Sequence, residues 1–418
     1  MTKTSIFDEI VQIMKTDAAC CKDEPGADPE IYRSKISDDM DDETFLFVVK
    51  AYLATFHVMS HVGFGMRGRG SIPFLVQRYR DILYVRAVAK NSELAVGDYI
   101  TKINGSSVLE FASLHEDMLY GESEERQTYA WGQLLSFAKE VTVVSRDNGE
   151  VRTHPITLNG DWSDEIRYTC KQLREDITLL RLKDFQDEEA LQKLYADNDA
   201  LLRNSKYLVI DVRNNAGGSD TAFLPLLKFC LPVGKTLQDL KPGIYDGEIE
   251  INYTERSCDS RLKVFTEYLK ADIPEEIRSL VQSMVDEMIK NRGKGFVTDY
   301  SGDVELPMVG LATPQKVYVI TDQRCGSSGD AFVDMLRKSD KVTVVGRPTS
   351  GILDYSNCTE VDYGQFYLIY PTSRSLYLDR NVQMRTHGVP VDLYIPWTPE
   401  HLVRDVDLDR VMQLINQE

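Results

Sequence analysis

The sequence has no run of about 18 uninterrupted apolar residues, so no transmembrane helix is expected. Its start lacks the basic residues, unbroken apolar stretch and small-residue cleavage site of a signal peptide. Ile6, Ile10, Ile13 and Met14 instead share one helical face, with Asp8 and Glu9 between them, and the expected compartment is the cytoplasm. Positive charge is scarce: 48 Lys and Arg stand against 66 Asp and Glu, a net charge of −18. Phosphate binding needs clustered cations, so nucleic acid is excluded as a partner and insertion into a membrane is not expected. The seven cysteines (Cys20, Cys21, Cys170, Cys230, Cys258, Cys325 and Cys358) form no CxxC pair and no Cys/His cluster. That excludes a disulfide framework and a zinc site, and no metal or organic cofactor is implied.

What is present is 42% hydrophobic and 27% charged residues, the balance of a soluble globular protein. At 418 residues the chain is too long for one ordinary core, and two or three domains are expected. The first sixty residues read as helical. Asp41 and Asp42 are placed to cap a helix carrying Phe45, Val48, Val49, Tyr52, Leu53 and Phe56 at helical spacing. Gly63 and Gly65 break that pattern, and short strands follow from Ile72 to Ile156. From about Asp161 strands and helices alternate, which favours a mixed α/β core. Its clear strands are Lys206 to Val212, Lys316 to Asp322 and Lys341 to Gly346, and the tail from Thr398 to Glu418 reads as one amphipathic helix.

Two segments carry chemistry. In Ile210-Asp211-Val212-Arg213-Asn214-Asn215-Ala216-Gly217-Gly218 a buried strand runs into a glycine-paired loop that lets backbone N–H groups approach a ligand. In Val319-Ile320-Thr321-Asp322-Gln323-Arg324-Cys325-Gly326-Ser327-Ser328-Gly329-Asp330 a strand ends in a small-residue turn before a helix. A serine there lies beside unpaired N–H groups and the positive end of the helix dipole, where an oxyanion is favoured. Either segment alone is equally compatible with a plain loop or a helix cap.

Together they resemble the signature segments of the tail-specific, C-terminal-processing and tricorn-type serine peptidases. Leu94 to Gly105, with its Gly97-Asp98 and Asn104-Gly105 turns, resembles the core of a PDZ domain. The resemblance implies an α/β catalytic core of the crotonase-like fold over 159–418, a helical region over 1–65 and an inserted PDZ-like, β-rich domain over 66–158. It implies Ser327 as nucleophile, three residues before Asp330, with Ser328 and either Gly217 or Gly218 supplying oxyanion N–H groups. The tail-specific branch activates its serine with a lysine, whose place is taken here by Ile352. The tricorn-type branch uses a serine-preceded histidine, matched by Ser60-His61, and imidazole titrates near neutrality. His57, one helical turn earlier, would make a metal pair, but Val58 stands where a zincin needs glutamate.

The family's orienting glutamate, three residues before Gly388-Val389, is replaced by Arg385, and Pro390 sits one place early before Asp392. Either Asp354 substitutes, or Ser60 alone orients the ring, or the enzyme is weak and the fold serves binding. The expected reaction is hydrolysis of peptide or unfolded protein through an acyl-enzyme.

Overall fold

A computed structural model describes residues 1–119, 123–163, 166–270, 275–299 and 308–418. The chain forms two units, each assembled from separated stretches: Met1–Arg69, Gly247–Asp303 and Asp354–Gln383 in the first, Gly70–Asp246, Val304–Leu353 and Met384–Glu418 in the second.

The second unit is built on the unbroken hydrophobic runs. Parallel strands buried on both faces need no polar alternation, and every residue of Tyr207–Asp211 is buried. The sheet runs in the order Leu393–Tyr394, Val342–Gly346, Lys316–Thr321, Tyr207–Asp211, Ile177–Leu182 and Tyr168–Arg174. All neighbours are parallel except the last, antiparallel pair. Val411 and Ile415 of the C-terminal helix Val406–Ile415 pack on Ile177, Leu179, Tyr207, Val209, Tyr318, Ile320 and Val345. Phe332 of the helix Ser328–Leu336 is buried in an aromatic cluster with Phe185 and Phe223. The result is a mixed α/β fold with several sheets.

The same unit contains an antiparallel sheet over residues 74–155, in the order Phe74–Tyr79, Ile82–Val88, Tyr99–Ile103, Glu140–Val144 and Val151–Pro155, with Ser106–Ser107 paired to Tyr99–Ile103. Its short turn is dictated by Asn104 and Gly105, which take φ of 49° and 84°, the left-handed pair that closes a two-residue hairpin. Asp98 is buried because both carboxylate oxygens cap backbone, accepting from Ala95 N and Arg146 N, each at 3.0 Å. Gln77 of the edge strand Phe74–Tyr79 accepts from Gln323 at 2.9 Å and Arg324 at 2.6 Å, tying this sheet to the loop that follows Lys316–Thr321.

In the first unit the helix Asp42–Ala54 is capped by Asp41, which accepts from Thr44 N at 2.8 Å, and buries Phe45, Val48, Val49, Tyr52 and Leu53. It ends at Ala54, short of the expected Phe56, because Thr55 returns a hydroxyl bond of 2.7 Å to Tyr52 O and His57 takes a φ of 53°. His57 and His61 therefore do not share a helical face. A mixed-length antiparallel sheet orders Gly63–Met66, Phe366–Ser375, Ile249–Tyr253 and Gly295–Asp299, with Tyr355–Asp362 on the other side of Phe366–Ser375. Buried Arg374 holds it to Asp23, Glu250 and Asp379.

The tail differs from one continuous helix. Residues Pro399–Leu402 form a 3₁₀ turn, and the α-helix begins only at Val406, capped by Asp405. Ion pairing explains the break. Arg213 bonds Asp405 at 2.8 Å and Asp407 at 3.0 Å, and Arg347 grips the fully buried Asp407 with two bonds of 2.6 and 2.7 Å. Burial acts to raise the Asp407 carboxyl, but bonds from His401 and Arg347 and the charges of Arg347 and Arg213 hold it well below the ordinary value. A depressed native pKa contributes stability above the ordinary carboxylate range, lost as pH falls through and below about 4. Asp407→Asn should strand the buried Arg347 guanidinium, while Arg213 keeps Asp405, and cost about 3–5 kcal/mol in urea unfolding at neutral pH, with the gap to wild type closing as the buffer is acidified. An unchanged urea midpoint at pH 7 would show that the tail is held by packing alone.

Candidate active site

The strand Lys316–Thr321 ends in a turn whose backbone is fixed by the lack of room around it. A Cβ on Gly326 would lie 2.9 Å from Ser350 Cβ and 3.1 Å from Ile352 Cδ1. Ser327 follows with φ 57° and ψ −124°, a conformation that costs a non-glycine residue about 1–3 kcal/mol and persists only where the surroundings over-determine it. Three N–H groups do so. Ser327 N and Ile352 N donate to Asp330 Oδ2 at 2.8 and 3.0 Å, and Gly351 N donates to Asp330 Oδ1 at 2.8 Å. Burial pushes the Asp330 carboxyl up to about 6, against the lowering effect of the Thr349 hydroxyl and these three N–H groups. Cys325, packed near Gly329, is pushed well above its ordinary value by burial and then by the Asp330 charge, so it stays a neutral thiol. Gly326, Ser328, Gly329 and Asp330 are all buried, whereas Ser327 is half-exposed.

The second signature loop lies against this turn. Gly217, at φ 77°, sits where a Cβ would come within 2.6 Å of Ser327 Cβ and 3.1 Å of Ser328 N. Gly218, at φ 146°, approaches Phe185 so closely that a Cβ would lie 2.3 Å from its carbonyl. Buried Asn215 shapes the loop: its Oδ1 accepts from Gly217 N at 2.9 Å and its Nδ2 donates to Leu182 O at 3.0 Å. Ser328 Oγ donates to Gly218 O at 2.8 Å. Among the described residues, the N–H groups of Gly218 and Ser328 have no hydrogen-bond partner, whereas that of Gly217 is occupied.

The second unit thus brings Ser327, Ser328, Gly217 and Gly218 together. Its Ile352 lies beside Gly326, and Arg385 lies on the short helix Met384–His387. The first unit carries Ser60, His61 and Asp354. Ser60 is exposed with φ 65°, and His61 is half-buried just before the strand Gly63–Met66. His61 Nδ1 lies 2.5 Å from Tyr355 O. A carbonyl only accepts, so Nδ1 carries a proton, and in the neutral ring Nε2 is then the atom that can take one. Buried Asp354 accepts from the Tyr377 hydroxyl at 3.0 Å, and its own carbonyl accepts from Ser375 N at 2.9 Å. Sequence reasoning missed Asn215 and the Tyr355 carbonyl. Asn215 was within reach, inside the Asp211–Gly218 segment; a main-chain carbonyl leaves no residue-type signal.

A half-exposed serine in a strained turn, at a helix start and beside N–H groups with no partner among the described residues, is an arrangement that can support nucleophilic attack on a carbonyl. The defining pattern of peptidase family S41 matches residues 176–395. The chain belongs to that family and is a serine peptidase, a hydrolase, with a peptide or protein substrate. Among solved structures, mature CPAF has a TM-score of 0.65 at 14% identity, covering 100% of this chain and 98% of its own. CPAF complexed with lactacystin gives the same score and identity, with 100% and 99% covered. The photosystem II D1 C-terminal processing protease aligns at 14% identity over 99% of this chain and 97% of its own, with a TM-score of 0.46. At these identities the likeness to CPAF is one of fold. A comparison with curated protein sequences finds no match. No helix among the described residues is long and apolar enough to cross a membrane.

The contact between Gly217 and Ser327 gives a direct test of the turn. Gly217→Ala should abolish or reduce by more than tenfold the labelling of Ser327 by a fluorophosphonate, since the methyl meets Ser327 Cβ, while the circular dichroism spectrum stays that of the wild type. Labelling at the wild-type rate would mean that the two loops do not touch as described.

Proposed function

We propose that the chain hydrolyses peptide bonds through an acyl-enzyme, with Ser327 as nucleophile and His61 as general base. The observation that carries this reading is the strained, half-exposed Ser327 beside the two unpaired N–H groups of Gly218 and Ser328. Ser327 Oγ attacks the scissile carbonyl carbon as His61 Nε2 takes its proton. The tetrahedral oxyanion forms against the N–H groups of Gly218 and Ser328. Collapse expels the amine with the proton returned by His61, and water repeats the sequence to release the acid and restore Ser327. Gly217, with its own N–H held by Asn215, contributes closeness rather than a donor. In this reading the Tyr355 carbonyl orients the imidazole, Ser60 shapes its approach through its left-handed turn, and Asp354 supports the Tyr355 main chain from the preceding residue.

The aliphatic Ile352 beside Gly326, where the tail-specific branch has lysine, supports the histidine-using, tricorn-type branch. The parallel sheet that ends in the nucleophile turn supports a crotonase-like core over 159–418, with 1–65 as a helical region. The antiparallel sheet over 74–155 supports a PDZ-like domain over 66–158. The helix Thr128–Leu135 packs along its edge strand Phe74–Tyr79, leaving the arrangement in which PDZ domains add a peptide strand and capture a chain end. The odd, scattered set of seven cysteines fits a reducing, cytoplasmic setting.

A fluorophosphonate should label the wild type and not Ser327→Ala. His61→Ala should lower the peptidase rate about 10²–10⁴-fold, and the wild-type rate should rise with pH as one group near neutrality loses its proton. An active His61→Ala, or a rate that rises only at strongly alkaline pH, would put a lysine in the base's place. An unlabelled wild type would favour a binding protein on a peptidase fold. For the inserted sheet, a peptide with a free C-terminus should be cut faster than its amidated twin, and equal rates would remove chain-end capture.

A further inference from the structure

Arg126 is the feature of the second unit that the reaction as described does not use. It lies in the turn before the helix Thr128–Leu135 and is half-buried. Its guanidinium forks onto three main-chain carbonyls: Nη1 donates to Thr349 O at 2.8 Å and to His387 O at 3.2 Å, and Nη2 donates to Ser350 O at 2.7 Å. The carbonyl of Ser350 and the N–H of Gly351 belong to one peptide plane. That N–H donates to Asp330 Oδ1 at 2.8 Å, and Asp330 Oδ2 holds Ser327 N at 2.8 Å. A cation at the carbonyl end of a peptide polarises it and strengthens the bond that its N–H gives to an anion. Asp330 is fully buried, and among the described residues no lysine or arginine bonds it directly. Among the described residues, Arg126 is linked to it through this one peptide.

We infer that Arg126 is a positioning residue for the nucleophile: gripping the Ser350 carbonyl, it keeps the Ser350–Gly351 peptide bonded to the Asp330 carboxylate that fixes Ser327. Bonds to Thr349 O and His387 O aim the fork, because Val389 N donates to Thr349 Oγ1 at 2.8 Å and the loops 349–351 and 387–389 are packed backbone to backbone. Among the described residues, the groups that act most strongly on Asp330 are the N–H groups of Ser327, Gly351 and Ile352 and the Thr349 hydroxyl, with the neutral Cys325 thiol close by. None supplies a formal positive charge. Loss of the Arg126 charge would favour protonated Asp330, whose added proton cannot serve the N–H donors around it. Ser327 would then be held in its strained conformation over a narrower, more alkaline range.

The inference rests on Ser327 as nucleophile for its kinetic readout, and on geometry alone for its structural one. Arg126→Met should lower the rate of fluorophosphonate labelling and kcat by roughly ten- to hundredfold with KM within about twofold, as misplacement of a reacting group does. The loss should be larger at pH 6 than at pH 8. Arg126→Lys, which keeps the charge, should recover most of the rate, and guanidinium ion at millimolar concentration should partly restore Arg126→Ala. In parallel, hydrogen exchange at the Gly351 and Ile352 amides should accelerate in Arg126→Met and not in Arg126→Lys. Exchange at those amides unchanged in Arg126→Met would overturn the inference even if the wild type proved unreactive, an outcome that would count against Ser327 separately. A loss equal at both pH values, accompanied by a lower melting temperature and restored by neither lysine nor guanidinium, would reduce Arg126 to a plain structural contact.

Discussion

A buried carboxylate with three backbone donors holds the candidate site in shape. Asp330 joins the turn at Ser327 to the loop at Gly351 and Ile352, segments more than twenty residues apart, and each bond is short. Burying a charge is costly unless its hydrogen bonds are made, and here the donors come from the backbone. The arrangement sets the direction of the helix Ser328–Leu336 and, among the described residues, leaves its first N–H group, on Ser328, without a hydrogen-bond partner. It also brings the side chain of Ile352 over Gly326. Removing the carboxylate would release the loop, the turn and the helix start together.

Strain and close packing act on the same few atoms. Ser327 holds a φ that glycine adopts freely, while the neighbouring positions that have no space for a side chain, Gly217 and Gly326, are glycine. Asn215 completes the packing from below, since one amide group bonds both Gly217 N and Leu182 O. Its occupation of Gly217 N–H leaves Gly218 N–H as the open donor of that loop, a distinction made by hydrogen bonding and not by residue type.

The local parts of this fold were legible in the sequence. Tyr207–Asp211, Lys316–Thr321 and Val342–Gly346 are strands within a residue of their expected limits, because unbroken runs of β-branched and aliphatic residues specify buried parallel strands by themselves. The Asn104-Gly105 turn was legible for the same reason, since its chemistry is contained in two residues. Long-range pairing was not. Gly63–Met66 finds its partner at Phe366–Ile369, some three hundred residues away, and nothing in either segment names the other. Helix ends were misjudged at Thr55, where a local hydroxyl bond to Tyr52 O closes the last turn, and at Asp405, where an ion pair with the distant Arg213 decides the start, and the grip of Arg126 on Ser350 spans 224 residues. Arginines that bind main-chain carbonyls are invisible to motif reading, because their partners can be any residue.

The same invisibility applies to the atom against His61 Nδ1. It is the carbonyl of Tyr355, so no side-chain substitution at that position deletes it. A histidine bonded to the main chain needs no acidic side chain to fix which ring nitrogen carries the proton. Alanine scanning would pass over this contact altogether. A pattern built from side chains alone has no place for such a contact.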